Sequence, residues 1–195
     1  MQTLSVGVLA FQGDVAEHVE ATERAAKALR KNVSVVLVRT KENLRGLDAL
    51  IIPGGESTTL AKLCEREGMI SGIRKVPNIF GTCAGAIFIA KEAEGKAESQ
   101  ETLGLMDIAV DRNAYGTQND SFEEDIQTSL GKIHAVFIRA PSIAFIGKGV
   151  SVLSATGAGV VACEQKKAGK YYLATCFHPE LTTILFHEHF LKRIT

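Results

Sequence analysis

Apolar runs of strand length alternate with stretches of helical period through the first half of the chain. Leu4–Ala10 reads as a strand and Asp14–Arg30 as a helix, with Val15, Val19, Ala26 and Leu29 among its apolar positions. The β-branched run Val33–Val38 reads as a buried strand. Thr40 is placed to cap a short helix. Asp48–Ile52 is a third strand, stopped by Pro53-Gly54-Gly55, after which Ser57 or Thr58 is expected to cap a helix that Gly68 ends. Val76–Phe80 is a fourth strand, followed by the helix-compatible stretch Ala84–Lys91. Such alternation predicts an α/β fold with a mainly parallel central sheet and helices on both faces.

The second half changes character. Leu105–Val110, Ile133–Ile138, Ser151–Ser154, Val160–Cys163 and Tyr171–Phe177 are short strands. Turn residues at Gly147-Lys148-Gly149, Gly157-Ala158-Gly159 and Ala168-Gly169 separate most of them, which predicts added antiparallel strands. A last helix is expected from Thr182 to Arg193. No linker or repeat divides the 195 residues, so a single domain spanning 1–195 is expected.

Composition narrows the function classes. Lys and Arg number 22, Asp and Glu 22, and no block of like charge breaks the balance. The basic footprint of a nucleic-acid binder is therefore missing. No apolar run reaches the ~18–20 residues of a membrane span, and Met1-Gln2-Thr3 leads into Leu4–Ala10 without a basic segment. A cytoplasmic protein is expected. Cys64, Cys83, Cys163 and Cys176 lie far apart without zinc-ligand spacing, so neither a metal nor a disulfide scaffold is expected.

Gly81-Thr82-Cys83-Ala84-Gly85 carries the strongest chemical signal. It joins an apolar strand to a helical stretch, in the manner of a G-x-S-x-G nucleophile elbow with a thiol in place of the hydroxyl. Neighbours without Cβ make room for a strained turn. The turn pushes the Cys83 sulfur out at a helix N-terminus, where N–H groups favour thiolate. A buried cysteine beside a tight turn is the plainer alternative. Phe177-His178-Pro179-Glu180 follows a strand late in the chain, and Pro179 stiffens the turn between His178 and Glu180. His178 is then the base for Cys83, and Glu180 the group that holds its tautomer. Gly54 and Gly55, with the Ala84 N–H, are candidates for an oxyanion hole.

Other features weigh less. Gly157-x-Gly159-x-x-Ala162 matches a relaxed dinucleotide fingerprint but precedes strand-like residues. On a helix, His187 and His189 diverge by about 200°, so they cannot share one ion and read as solvated or partner-facing. His18 and His134 read as structural, and Cys64, Cys163 and Cys176 as inert. Asp14, Glu17 and His18 form a polar helix start near the candidate site that capping alone would explain.

In chain order Pro53-Gly-Gly-Glu-Ser-Thr-Thr59, the elbow and His178-Pro-Glu-Leu-Thr182 resemble the class I (triad) glutamine amidotransferases, which are flavodoxin-like. Val6–His18, Pro53-Gly-Gly-Glu-Ser-Thr-Thr59, Arg112-Asn-Ala-Tyr-Gly116 and Phe137-Ile-Arg-Ala-Pro141 are similar, more narrowly, to the glutaminase subunits of pyridoxal 5′-phosphate synthase. The resemblance spans essentially the whole chain. It implies that Cys83, His178 and Glu180 form a triad, and that Gly55, Glu56 and Ser57 line a glutamine site. It also implies that Arg112 and the Ile138–Arg139 backbone hold the substrate. L-Glutamine would be hydrolysed through a glutamyl thioester without cofactor. Ammonia would pass to a (β/α)8-barrel synthase subunit in a multi-copy complex for vitamin B6 biosynthesis.

Gln12 is a candidate for coupling partner binding to formation of the oxyanion hole. The pattern departs from the family at Thr117, where many relatives carry arginine, and at Thr183-Ile184-Leu185, which replaces a more polar run. The rivals are the glutaminase serving imidazole glycerol phosphate synthesis, an α/β hydrolase with a cysteine nucleophile, and a non-catalytic elbow-cysteine binding or stress module. The hydrolase expects its acid between nucleophile and histidine, whereas Glu180 follows His178.

Overall fold

A computed structural model describes residues 3–95, 102–112 and 121–194. The first half follows the expected alternation: β1 (Leu4–Leu9), α1 (Val15–Ala28), β2 (Val33–Val38), β3 (Ala49–Ile52), α2 (Ser57–Arg66), α3 (Ile70–Ile73), β4 (Asn78–Thr82) and α4 (Ala84–Ile89). The rest is mainly strands: β5 (Ala90–Glu94), β6 (Met106–Asp111), β7 (Phe122–Thr128), β8 (Gly131–Phe137), β9 (Ser142–Ile146), β10 (Val150–Thr156), β11 (Gly159–Lys167) and β12 (Lys170–Thr175), before α5 (Leu185–Arg193).

The large sheet runs β2-β1-β3-β4-β12-β11-β9-β6-β5, with β10 on β11. From β2 to β12 every pairing is parallel. The step from β1 to β2 goes one way along the sheet and the step from β3 to β4 the other. Right-handed crossovers therefore put α1 and α2 on opposite faces. Beyond β12 the sheet turns antiparallel through β11 and β9. The mixed, mostly parallel sheet with added antiparallel strands is as expected.

Reversal of strand order between β1 and β3 creates a switch point, and the parallel strands all end at the same edge. The segments after β1, β3, β4 and β12 meet there, and these are the segments that carry Asp14, Gly54-Gly55, Cys83 and His178.

Several boundaries differ from expectation for identifiable reasons. β2 sits at the sheet's edge, so of its apolar run only Val38 is buried and Leu37 stands exposed. Neither Ser57 nor Thr58 caps α2. Glu56 does, its carboxylate accepting from the Thr58 and Thr59 N–H groups at 3.0 and 2.6 Å. The helix expected to reach Lys91 stops at Ile89, because Ala90–Glu94 extends to pair with β6. β5, β7 and β9 are strands that the pattern did not mark. Thr40 does cap a helical turn, a 3-10 one at Lys41–Leu44. Ile184 and Leu185, in the apolar departure after His178-Pro179-Glu180, pack against the core, while Tyr115, Gly116 and Thr117 lie outside the described residues. No helix among the described residues is long and apolar enough to cross a membrane.

Candidate active site

Cys83 takes φ 48° and ψ −106° between β4 and α4. A non-glycine residue there stores about 1–3 kcal/mol of strain, and such strain clusters where function needs it. Its neighbours show why the turn is possible. A Cβ on Gly85 would lie 2.0 Å from the Ile52 carbonyl oxygen, and one on Gly81 would lie 2.5 Å from the Gly85 backbone. Only glycine fits both places. The Cys83 N–H donates to the Thr175 carbonyl at 2.8 Å, which ties the elbow to the end of β12.

His178 leaves the sheet just beyond β12. Its N–H donates to the Val136 carbonyl of β8 at 2.9 Å, and Phe177 packs edge-on against Phe137 and Phe186. The imidazole Nδ1 lies 2.7 Å from Glu180 Oε1, so the other ring nitrogen is turned to the Cys83 sulfur. A Cβ on Gly54 would fall 2.5 Å from His178 Cε1 and 3.3 Å from Cys83 Cβ, so that glycine sits where nucleophile and imidazole converge. Burial works against a charged His178, but hydrogen bonding to Cys83 and Glu180 outweighs it and raises its pKa to about 10. Burial likewise disfavours a charged Glu180, yet His18 and His178 hold its carboxyl well below the usual range.

A cavity of about 410 Å³ opens beside the sulfur, lined by Asp14, Gly55, Glu56, Ser57, Cys83, Arg112, Ile138, Arg139 and His178 among others. That is the size range of small-molecule sites. The substrate-contact residues expected from sequence therefore line the same cavity as the sulfur. Ile138 presents its carbonyl 3.9 Å from Cys83 Sγ, and Arg139 has φ 45°. Arg112 reaches the Gly95 carbonyl at 3.3 Å and Glu56 Oε1 at 3.4 Å. Burial opposes the Glu56 charge, but the two backbone N–H groups it caps hold its pKa near 2. Gln12 donates to the Glu56 carbonyl at 2.8 Å and packs beneath Gly55, whose φ is +118°. As the first residue of α4, Ala84 has an N–H without an intrahelical acceptor.

Asp14 belongs to this site. It occupies the N-cap position of α1 without capping it, and its Oδ2 lies 3.0 Å from His178 Nδ1. Burial raises its pKa, against the nearby His178. Its place after β1, at the switch point, was the signal that capping obscured. Asp14, His178 and Glu180 also offer three ligand atoms to one another. Here the imidazole spends Nδ1 on a carboxylate, which is the arrangement of a proton-transfer group.

The remaining histidines correct the expectations in part. His187 is buried, not solvated, and His189 is held by Glu164 at 2.6 Å. His134 stands exposed between Glu123 and Asp125 on the β7–β8 ribbon. Cys64 and Cys163 are enclosed, and burial pushes each thiol up to about 12; burial also holds the Cys176 thiol well above the usual thiol range.

Burial, with His18 adding to it, lowers the His187 pKa to about 3. A histidine depressed below its unfolded value leaves the unfolded chain binding the extra proton. Stability is then complete above about pH 6.5 and falls below it, by at most ~1.4 kcal/mol per pH unit. Urea unfolding at pH 7.5, 6.0 and 5.0 is expected to show this acid slope, and His187→Phe to reduce it by about one proton. Equal slopes in both proteins would contradict the assignment.

The SNO glutamine amidotransferase family model matches residues 8–195. The pyridoxal 5′-phosphate synthase subunit PdxT of Thermus thermophilus is 47% identical over 194 residues, covering 96% of each chain. The subunit of that name from Oenococcus oeni is 43% identical over 196 residues, covering 97% of this chain and 96% of its own. A solved glutamine amidotransferase superposes with a TM-score of 0.81 at 46% identity, over 96% of this chain and 97% of that one.

Proposed function

Because the chain belongs to the SNO glutamine amidotransferase family, we propose that it is the glutaminase of a pyridoxal 5′-phosphate synthase and that Cys83, His178 and Glu180 carry the reaction. One observation supports the triad above all others. The elbow cysteine and the imidazole line the cavity at one sheet edge, and the buried Glu180 carboxylate sits behind the imidazole.

The side-chain amide of L-glutamine enters beside Cys83. Its α-carboxylate is met by Arg112, and its α-ammonium by acceptors at Glu56 and the Ile138–Arg139 backbone. The sulfur attacks the amide carbon, and the negative oxygen settles on N–H groups from Ala84 and the Gly54-Gly55 loop. His178 gives its proton to the leaving nitrogen, so ammonia departs and a glutamyl thioester remains. The now neutral imidazole takes a proton from water, whose oxygen attacks the thioester. Glutamate leaves and the sulfur is restored. Glu180 keeps the imidazole oriented throughout.

Ammonia protonates in neutral water and ceases to be a nucleophile, which favours direct transfer. The acceptor is a (β/α)8-barrel synthase subunit in a multi-copy complex, and four free thiols suit a reducing cytoplasm. Relatives named for pyridoxal phosphate synthesis over nearly their full length favour this partner over the imidazole glycerol phosphate pathway.

Glutamate release from glutamine, measured with and without the barrel synthase, tests the proposal. Turnover that rises with the synthase is expected. Turnover indifferent to it would keep the glutaminase and reassign the pathway, and no turnover in either condition would favour a binding module.

Two variants probe the parts. Arg112→Ala is expected to raise KM for glutamine about 10- to 100-fold with kcat within about threefold, since a charge-assisted bond to the substrate is lost; a kcat loss with unchanged KM would contradict that role. Gln12→Ala is expected to lower the synthase-stimulated rate about tenfold, because Gly55 loses the side chain packed beneath it. An unchanged stimulated rate would show that Gln12 has no part in forming the hole.

A further inference from the structure

We propose that His18 is a positioning residue for the glutaminase reaction, holding the Glu180 carboxylate in place for His178 through a proton arrangement that His187 fixes from behind. The inference rests on the triad reading and extends it by two residues from α1 and α5.

Distances and burial favour one placement of protons. Glu180 Oε1 lies 2.7 Å from His178 Nδ1 and 3.3 Å from His18 Nε2, with both the Glu180 and His18 side chains fully buried. A bare ring nitrogen facing a carboxylate oxygen would set lone pair against lone pair, so His18 Nε2 carries its proton. Thr82 Oγ1, 3.1 Å away, shares that N–H. His18 then offers a lone pair at Nδ1, and His187 Nε2 lies 3.0 Å from it as the donor. His187 is left with a bare Nδ1. That atom and Glu180 Oε2 are the buried side-chain polar atoms without a hydrogen-bond partner among the described residues. Burying an unused lone pair on a ring whose other nitrogen donates is the less costly way to close the chain.

The consequence falls on Glu180. Its Oε2 has no donor, so its charge depends on the two imidazoles that meet Oε1. A competing carboxylate is present, because Asp14 Oδ2 lies 3.0 Å from the same His178 nitrogen. The titratable groups around Glu180 are thus His178 from its own segment and His18 and Asp14 at the start of α1. His187 of α5 stands one ring further back, against His18 and Phe80. Without His18, the carboxylate loses one of its two donors and Asp14 gains weight in orienting the imidazole. His18 touches neither sulfur nor cavity; it reaches the site through Glu180 and through Thr82 Oγ1, one residue before Cys83.

The test uses the chain in complex with the barrel synthase and measures glutamate release across pH, with Cys83→Ala as control. His18→Leu is expected to lower kcat about 30-fold with KM within about threefold. The alkaline limb, set by loss of the His178 proton, is expected to move to lower pH by about one unit. His18→Gln, whose amide N–H can take the place of Nε2–H, should recover kcat to within about threefold of the parent and return the limb. His187→Phe keeps an aromatic ring against Phe80, and should shift the limb in the same direction by less. It decides the matter if His18→Leu does not fold.

Unchanged kcat and limb in the His18 and His187 variants would overturn the inference. So would equal losses in His18→Leu and His18→Gln with the limb unmoved, which would mark His18 as packing only. Turnover that survives Cys83→Ala would instead bring down the triad reading and this inference with it.

Discussion

Cys83→Ala is expected to lower kcat for glutamine hydrolysis by about 10,000-fold or more, with the fold intact. Removing a nucleophile costs nearly the whole covalent route, and the remaining binding groups supply only a small residual rate. Only the sulfur is deleted, at a position lining the cavity with hydrogen bonds on its backbone rather than its side chain holding the elbow. Thermal unfolding should therefore change little while glutamate release vanishes. A variant that keeps a tenth of the parent's turnover would mean that another group attacks the amide.

Gly54→Ala is expected to cost more than about 100-fold in kcat, from a single methyl group that touches no substrate atom. The added Cβ would stand 2.5 Å from His178 Cε1, closer than real Cβ atoms approach, and a tight 3.3 Å from Nε2. His178 is pinned by the Val136 carbonyl and by Glu180, so the ring yields by tilting away from the sulfur. A displacement of about 1 Å in a catalytic group is worth about 100-fold. Stability should fall only modestly, because the clash is with a side chain at a cavity rim. Gly85→Ala makes the useful contrast: its Cβ would meet the Ile52 carbonyl at 2.0 Å, where only backbone can move, so the whole fold should suffer. Gly54→Ala with half the parent's kcat would show that His178 is not held where the geometry puts it.

The triad segments were legible because local grammar marks each of them. An apolar run followed by glycines signals a strand's C-terminal end, and a parallel sheet gathers such ends at one edge. Segments after β3, β4 and β12 could thus be placed together before any contact was known. Features that depend on packing between distant elements were not legible. His187 lies beside Glu188 and His189 and reads as polar surface, yet the docking of α5 on α1 encloses it against His18. Asp14 occupies a capping position, so its turn toward His178 was hidden behind a sufficient local explanation. β7 escaped notice because Glu123, Glu124 and Asp125 interrupt its apolar pattern; Glu123 and Asp125, on one face, pair with His134 and Lys132 of β8. The run at β2 looked buried because apolar content does not tell an edge strand from a central one.

The central claim is that the Cys83 sulfur forms a bond to the substrate's amide carbon. Its most direct test incubates the chain, with the barrel synthase present, with a glutamine-like electrophile and locates the added mass by peptide mass spectrometry. The account predicts one adduct, on Cys83, slowed by free glutamine and lost in Cys83→Ala. An adduct on another residue, or none while glutamine is still hydrolysed, would contradict it.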